Sequence, residues 1–71
     1  MSNDNIPTVK VVFCDEEGKQ LSVRRYNEAE LKALFKVATV MMGDKQYQIL
    51  YMVYDLQGNS LLVTTGLIMQ N

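Results

Sequence analysis

Residues 49–65 read ILYMVYDLQGNSLLVTT, two apolar runs on either side of a turn. Its two apolar runs are rich in Val, Leu and Tyr, which suit the pleated surface of a sheet. The intervening DLQGN at 55–59 is typical of a hairpin turn, since an acidic residue opens it and Gly58 can take a positive φ. The stretch predicts a β-hairpin with one apolar face. Its expected pairs are Val53 with Leu61, Tyr51 with Val63, and Ile49 with Thr65.

A second hairpin is predicted near the start of the chain. Residues 9–14 alternate as VKVVFC and lead into DEEGK at 15–19, which repeats the turn pattern with Gly18. A common turn used twice explains the likeness, and a duplicated hairpin is the alternative. The expected pairs are Phe13 with Leu21, Val11 with Val23, Cys14 with Gln20, Val12 with Ser22, and Lys10 with Arg24.

A helix is predicted between the hairpins. Asn27 and Glu30 have the spacing of a capping box, in which each side chain accepts a hydrogen bond from the other residue's backbone N–H. Apolar residues follow at the helical spacing i, i+3, i+4 and i+7, which predicts one buried stripe. These residues are Leu31, Leu34, Phe35 and Ala38.

Residues 37–42 have two interpretations. The helix could continue through Met41 and Met42 to a cap at Gly43. The alternative, which we favour, is a strand, because Val37, Thr39 and Val40 are β-branched and disfavour helices. Gly43-Asp44 then forms a two-residue hairpin loop. The expected pairs are Val40 with Tyr47, Thr39 with Gln48, Met41 with Gln46, and Ala38 with Ile49.

These elements predict an α+β fold: a single antiparallel sheet of four or five strands with one helix packed on one face. Residues 1–7 are expected to form a flexible tail, and residues 8–71 one small domain. Residues 40–49, together with 55–59, look like small antiparallel meanders in short bacterial and phage proteins. That resemblance rests on turn signals and implies no site residue.

Composition argues against several functions. The chain has no His and a single cysteine, Cys14, so it lacks the four ligands of a structural zinc site and the base of a Ser–His or Cys–His pair. A net charge of −1 is not typical of a nucleic-acid binder. We therefore expect a protein that is not an enzyme, with no cofactor and no metal.

The expected location is the cytoplasm. The first residues lack the basic-then-apolar pattern of a secretion signal, and a lone cysteine suits a reducing compartment. No run of the sequence approaches 18 apolar residues, so we expect no membrane partner.

One sheet face is more apolar than a solvated face should be. A single helix covers only one face of an antiparallel sheet, and a solvated second face normally reads polar. The sequence predicts an interface for a second copy or another protein. Its residues are Leu50, Met52, Tyr54, Leu62 and Ile68. Alternatively, Tyr26 or a terminus covers this face, or the sheet curls and buries it.

The leading functional hypothesis is therefore a homodimeric protein–protein interaction module, an accessory regulator or inhibitor of another protein. The alternative is a nucleic-acid-binding module. It would use the basic residues Lys10, Arg24 and Arg25 to contact phosphate or an acidic partner.

Overall fold

The computed structural model describes residues 7–70, so the predicted tail at 1–7 lies outside the described residues except for Pro7. One helix and five strands follow one another along the chain. They are β1 (Val9–Cys14), β2 (Gln20–Tyr26), α1 (Glu28–Phe35), β3 (Thr39–Met42), β4 (Lys45–Asp55) and β5 (Ser60–Gln70). The α+β class is confirmed.

The five strands form one sheet in the order β2-β1-β5-β4-β3. β1 and β5 run parallel and the other neighbours antiparallel, so the prediction of a purely antiparallel sheet is wrong. The physical reason is the character of the strands. Apart from Lys10, β1 is apolar on both faces, and it occupies an interior position. β2 carries Arg24 and Arg25 and lies at an edge, where charge is tolerated.

The first hairpin has the predicted turn but a different register. Gly18 has φ +89° and donates its N–H to the Asp15 carbonyl at 3.0 Å. The pair Cys14–Gln20 is confirmed, but a bulge then places Leu21 without a partner on β1, so the other four predicted pairs are wrong. The observed pairs are Phe13 with Ser22, Val12 with Val23, Val11 with Arg24, Lys10 with Arg25, and Val9 with Tyr26.

The second hairpin also differs from prediction by one residue. Its loop has four residues, 56–59, and the positive φ belongs to Asn59 (+48°) and not to Gly58. The observed pairs are Asp55 with Ser60, Tyr54 with Leu61, Val53 with Leu62, Met52 with Val63, and Tyr51 with Thr64. The predicted pairs Val53–Leu61 and Tyr51–Val63 are therefore wrong.

A bulge at Leu50 corrects the register further along the same strand. The pairing passes from Tyr51–Thr64 to Ile49–Thr65, so Leu50 has no partner on β5. The predicted pair Ile49–Thr65 is confirmed for that reason. An inserted residue of this kind also bends the strand and increases its twist.

Residues 39–42 form the favoured strand, not a helix continuation. α1 ends at Phe35, and Gly43 has φ +68° in the loop that follows β3. The predicted pairs of β3 with β4 are confirmed, including Val40 with Tyr47. Ile49 donates its N–H to the Ala38 carbonyl at 2.8 Å, which extends this hairpin by one residue.

The core lies on one side of the sheet, beneath α1. Its buried cluster joins β1, α1 and β5, with Val11 and Val63 fully buried at its centre. Its other members are Phe13, Leu34 and Leu61. Thr65 is also fully buried, and its hydroxyl donates to the Cys14 carbonyl at 3.0 Å.

The sheet curls around this core. A cavity of about 320 Å³ is lined both by β2, through Ser22 and Arg24, and by β3, through Val40 and Met42. In a flat sheet these edge strands would lie about 19 Å apart. The bulge at Leu50 lies on β4, the neighbour of β3, and a bulge of this kind bends its strand. The curl therefore covers the core side of the sheet and, within residues 7–70, leaves the other side uncovered.

Candidate interaction surface

The uncovered side is formed by β2, β1, β5 and β4, and we call it the open face. Its side chains form three rows that run across the four strands, because each residue lies directly opposite its neighbour in the register. The apolar row is Val23, Val12, Leu62 and Val53. The charged row is Arg25, Lys10, Ser60 and Asp55. The third row is Gln20, Cys14, Thr64 and Tyr51.

The apolar row is exposed to solvent. Val23 is 41%, Leu62 39% and Val53 50% exposed, while Val12 is half-buried between them. Among the described residues, twelve large apolar side chains are exposed and only six are buried. Scattered exposed apolar residues are ordinary, but these three, joined by half-buried Val12 across four strands, form a continuous patch of the kind that marks an interaction site.

The charged row holds opposite charges at its two ends. Lys10 and Arg25 are direct cross-strand partners, and like charges in that position destabilise a sheet. Within the described part of the chain, the ion pairs are Arg24–Glu30 at 3.0 Å and Lys32–Glu28 at 3.5 Å. Lys10, Arg25 and Asp55 therefore have no ion-pair partner among residues 7–70.

The third row extends the patch on its other side. The Cys14 sulfur lies 3.8 Å from the Thr64 hydroxyl, which places both side chains on the open face. Tyr51 is 59% exposed beside them. Leu50 adds to this side, since its Cδ1 lies 3.5 Å from where a Cβ on Gly66 would stand.

The predicted interface residues divide between the two sides of the sheet. Leu50 and Leu62 lie on the open face, but Met52 packs against the core cluster and Tyr54 pairs with Leu61 on the core side. Ile68 is the extra residue of a second bulge and is half-exposed. The one-residue register shift is the cause, because it exchanges the two sides of a strand.

Tyr51 and Val53 replace Met52 and Tyr54 on the open face. Sequence reasoning missed them because every residue from 49 to 54 is apolar. Apolar and polar residues do not alternate there, so the sequence does not indicate which side of the strand faces the core. Asn59 offered one such signal, since asparagine tolerates a positive φ. A residue with a positive φ at position 59 indicates the four-residue loop and therefore the observed register of β4 with β5.

The predicted basic group does not form one surface. Arg24 lies on the core side, where it pairs with Glu30 and its guanidinium carbon stands 5.1 Å from the centroid of the Tyr26 ring. Lys10 and Arg25 lie on the open face instead. The hairpin bulge separates them, because it shifts the partner of Lys10 from Arg24 to Arg25.

Tyr26 does not cover the open face. Its ring packs on the core side, with its centroid 6.3 Å from that of Phe13. The termini that were the other candidate covers include residues 1–6 and 71, which lie outside the described residues. The curl buries the opposite side of the sheet, so within residues 7–70 nothing shields the apolar row.

The chain matches no protein-family model, no curated protein and no solved structure. No helix of the described residues is long and apolar enough to cross a membrane. The described residues also contain no group of three or more His, Cys, Asp or Glu placed to hold a metal ion.

Proposed function

We propose that this protein is a small non-enzymatic protein–protein interaction module that forms a homodimer through its open face and acts as an accessory regulator or inhibitor of another protein. The observation that carries the proposal is the apolar row, Val23, Val12, Leu62 and Val53, which crosses four strands without a polar interruption. Two sheets that pack face to face bury rows of this kind against each other.

The patch has the size of a modest interface. Four strands and three rows cover about 19 Å by 20 Å. Two such patches in contact bury roughly 800 Å² in total, which is the size of a weak, transient interface and not of a permanent one. Because only the dimer gains this burial, the apparent stability should rise with protein concentration.

The test is sedimentation equilibrium over a hundredfold range of protein concentration. The wild type should shift from monomer to dimer, and Leu62→Lys should remain monomeric because it places a charge in the centre of the apolar row. Leu56→Lys is the matched control. Leu56 is 82% exposed in the loop after β4 and lies outside the open face, so its variant should dimerise like the wild type.

Two results would overturn the proposal. One is a wild type that stays a compact monomer at every concentration. The other is a Leu62→Lys protein that is folded and dimerises as tightly as the Leu56→Lys control. Circular dichroism of each variant establishes that it is folded before its mass is interpreted.

The nucleic-acid alternative has less geometric support than the interaction module. Only Lys10 and Arg25 of its three cations share a face, and Arg24 is paired with Glu30 on the other side. Binding through phosphate contacts weakens steeply as salt increases. Salt-dependent retention of the wild type on a nucleic-acid column, lost in Lys10→Glu, would reverse our preference.

A further inference from the structure

We infer that the partner on the open face is a second copy related by a two-fold axis nearly parallel to the strands, so that Arg25 of each protomer lies beside the partner's Asp55. This inference rests on the proposed function, and it adds the geometry of the pairing. Its basis is the charged row, which ends in Arg25 on β2 and in Asp55 on β4.

Arg25 and Asp55 cannot form an ion pair within one chain. Arg25 and Asp55 are separated by three strand spacings, about 14 Å between their backbones. Arg25 donates instead to the Thr8 hydroxyl at 3.3 Å, and it faces Lys10 across the strand. A second copy supplies a carboxylate for the basic end of the row and a cation for its acidic end.

With a two-fold axis along the strands, each row of one protomer lies over the same row of the partner, and the order of the strands is reversed. In the apolar row, Val12 then lies over the partner's Leu62. In the charged row, Arg25 lies over the partner's Asp55 and Lys10 over the partner's Ser60. Aligned sheets cross at about 30°, so the axis stands within about 15° of the strand direction.

The other axis in the plane of the interface gives a worse match. An axis across the strands, along the apolar row, places the charged row over the partner's third row. Lys10 would then lie over the partner's Cys14, and Asp55 over the partner's Tyr51. Charges that lose water without gaining an opposite charge are costly. The axis along the strands leaves only Lys10 without one, so it is favoured.

The test uses two charge-reversal variants and their mixture. Arg25→Asp alone puts two carboxylates together at each contact, and Asp55→Arg alone puts two guanidinium groups together. Each variant should have a dimer dissociation constant at least about tenfold higher than the wild type. An equimolar mixture should recover wild-type affinity as a heterodimer, because one protomer then carries both acids and the other both bases.

A control variant distinguishes the loss of the Asp55 charge from disruption of the turn that follows β4. The Asp55 carboxylate also accepts the Gln57 N–H at 3.2 Å. Asp55→Asn retains an acceptor for that N–H, so it should stay folded and weaken the dimer less than Asp55→Arg. Native mass spectrometry of the mixture distinguishes the heterodimer from either homodimer by mass.

The outcomes distinguish the inference from the proposed function. If the wild type dimerises and Leu62→Lys abolishes the dimer, but the mixture forms no heterodimer in preference to the homodimers, the axis is wrong and the module stands. If the wild type never dimerises, both fail. Heterodimers that exceed their statistical share, and that decline towards it as salt screens the charges, support the inference.

Discussion

Asn27 and Glu30 cap the start of α1 reciprocally. The Asn27 side chain accepts the Glu30 N–H and the Glu30 carboxylate accepts the Asn27 N–H, both at 2.9 Å. Asn27→Ala should lower the free energy of unfolding by about 1 kcal/mol, because it leaves a helix N–H without its partner. In a domain of this size that corresponds to a decrease of about 4–8 °C in Tm.

Thermal unfolding followed by circular dichroism at one fixed protein concentration measures this change. Asn27→Asp retains the acceptor oxygen and should unfold within about 2 °C of the wild type. Equal melting curves for Asn27→Ala and Asn27→Asp would show that the cap contributes nothing.

The two hairpin turns should respond to substitution at different residues. Gly18 has φ +89°, so Gly18→Val should destabilise the protein by about 1 kcal/mol or more through backbone strain alone. In the second turn the strained position is Asn59, at φ +48°. Asn59→Val should therefore cost more than Gly58→Ala, and urea unfolding of the three variants gives the order.

The Gly58 variant is the informative comparison for that turn. An added Cβ would stand 2.8 Å from the Asp55 carboxylate, a flexible group that can rotate away. A large loss at Gly58 together with a silent Asn59→Val would contradict the four-residue loop.

Thr65→Val tests the polar contact inside the core. The substitution keeps the shape of the side chain but removes the hydroxyl that donates to the Cys14 carbonyl. Loss of a buried hydrogen bond of this kind costs about 1 kcal/mol. Denaturant unfolding measures it, and Thr64→Val on the open face provides a matched comparison that should cost less.

Labelling of the Cys14 thiol can report whether the open face is covered. The thiol lies in the third row, half-buried against Thr64. If this face is the dimer interface, the rate at which a thiol reagent in excess labels Cys14 should fall as protein concentration increases. Labelling at one rate across a hundredfold range, in conditions where the wild type dimerises, would place the interface elsewhere.

The sequence predicted the local features of this fold well. The cap at Asn27, the positive φ at Gly18 and the strand ending at Gly43 each depend on a few neighbouring residues. Turn and cap chemistry is local, and it identified these three features, although it assigned the positive φ of the second turn to Gly58 instead of Asn59. The register of β3 was also correct, since a two-residue loop leaves little freedom in pairing.

The bulges and the parallel pair could not be predicted in the same way. A bulge changes the register by one residue, and only a strand with one polar face reveals the change. The run from Ile49 to Tyr54 is apolar throughout, so two registers fitted it equally. For this reason the sequence predicted Met52 in the interface, whereas in the structure Met52 packs against the core.

The pairing of β1 with β5 has a consequence for how the chain folds. Cys14 and Thr64 are neighbours in the sheet although 50 positions separate them in sequence. Contacts between distant residues slow folding because a long loop has to close before they form. During synthesis, β1 lacks its parallel neighbour until β5 has left the ribosome, so one edge of β1 stays unpaired. Chaperone capture or aggregation would compete with folding at that stage.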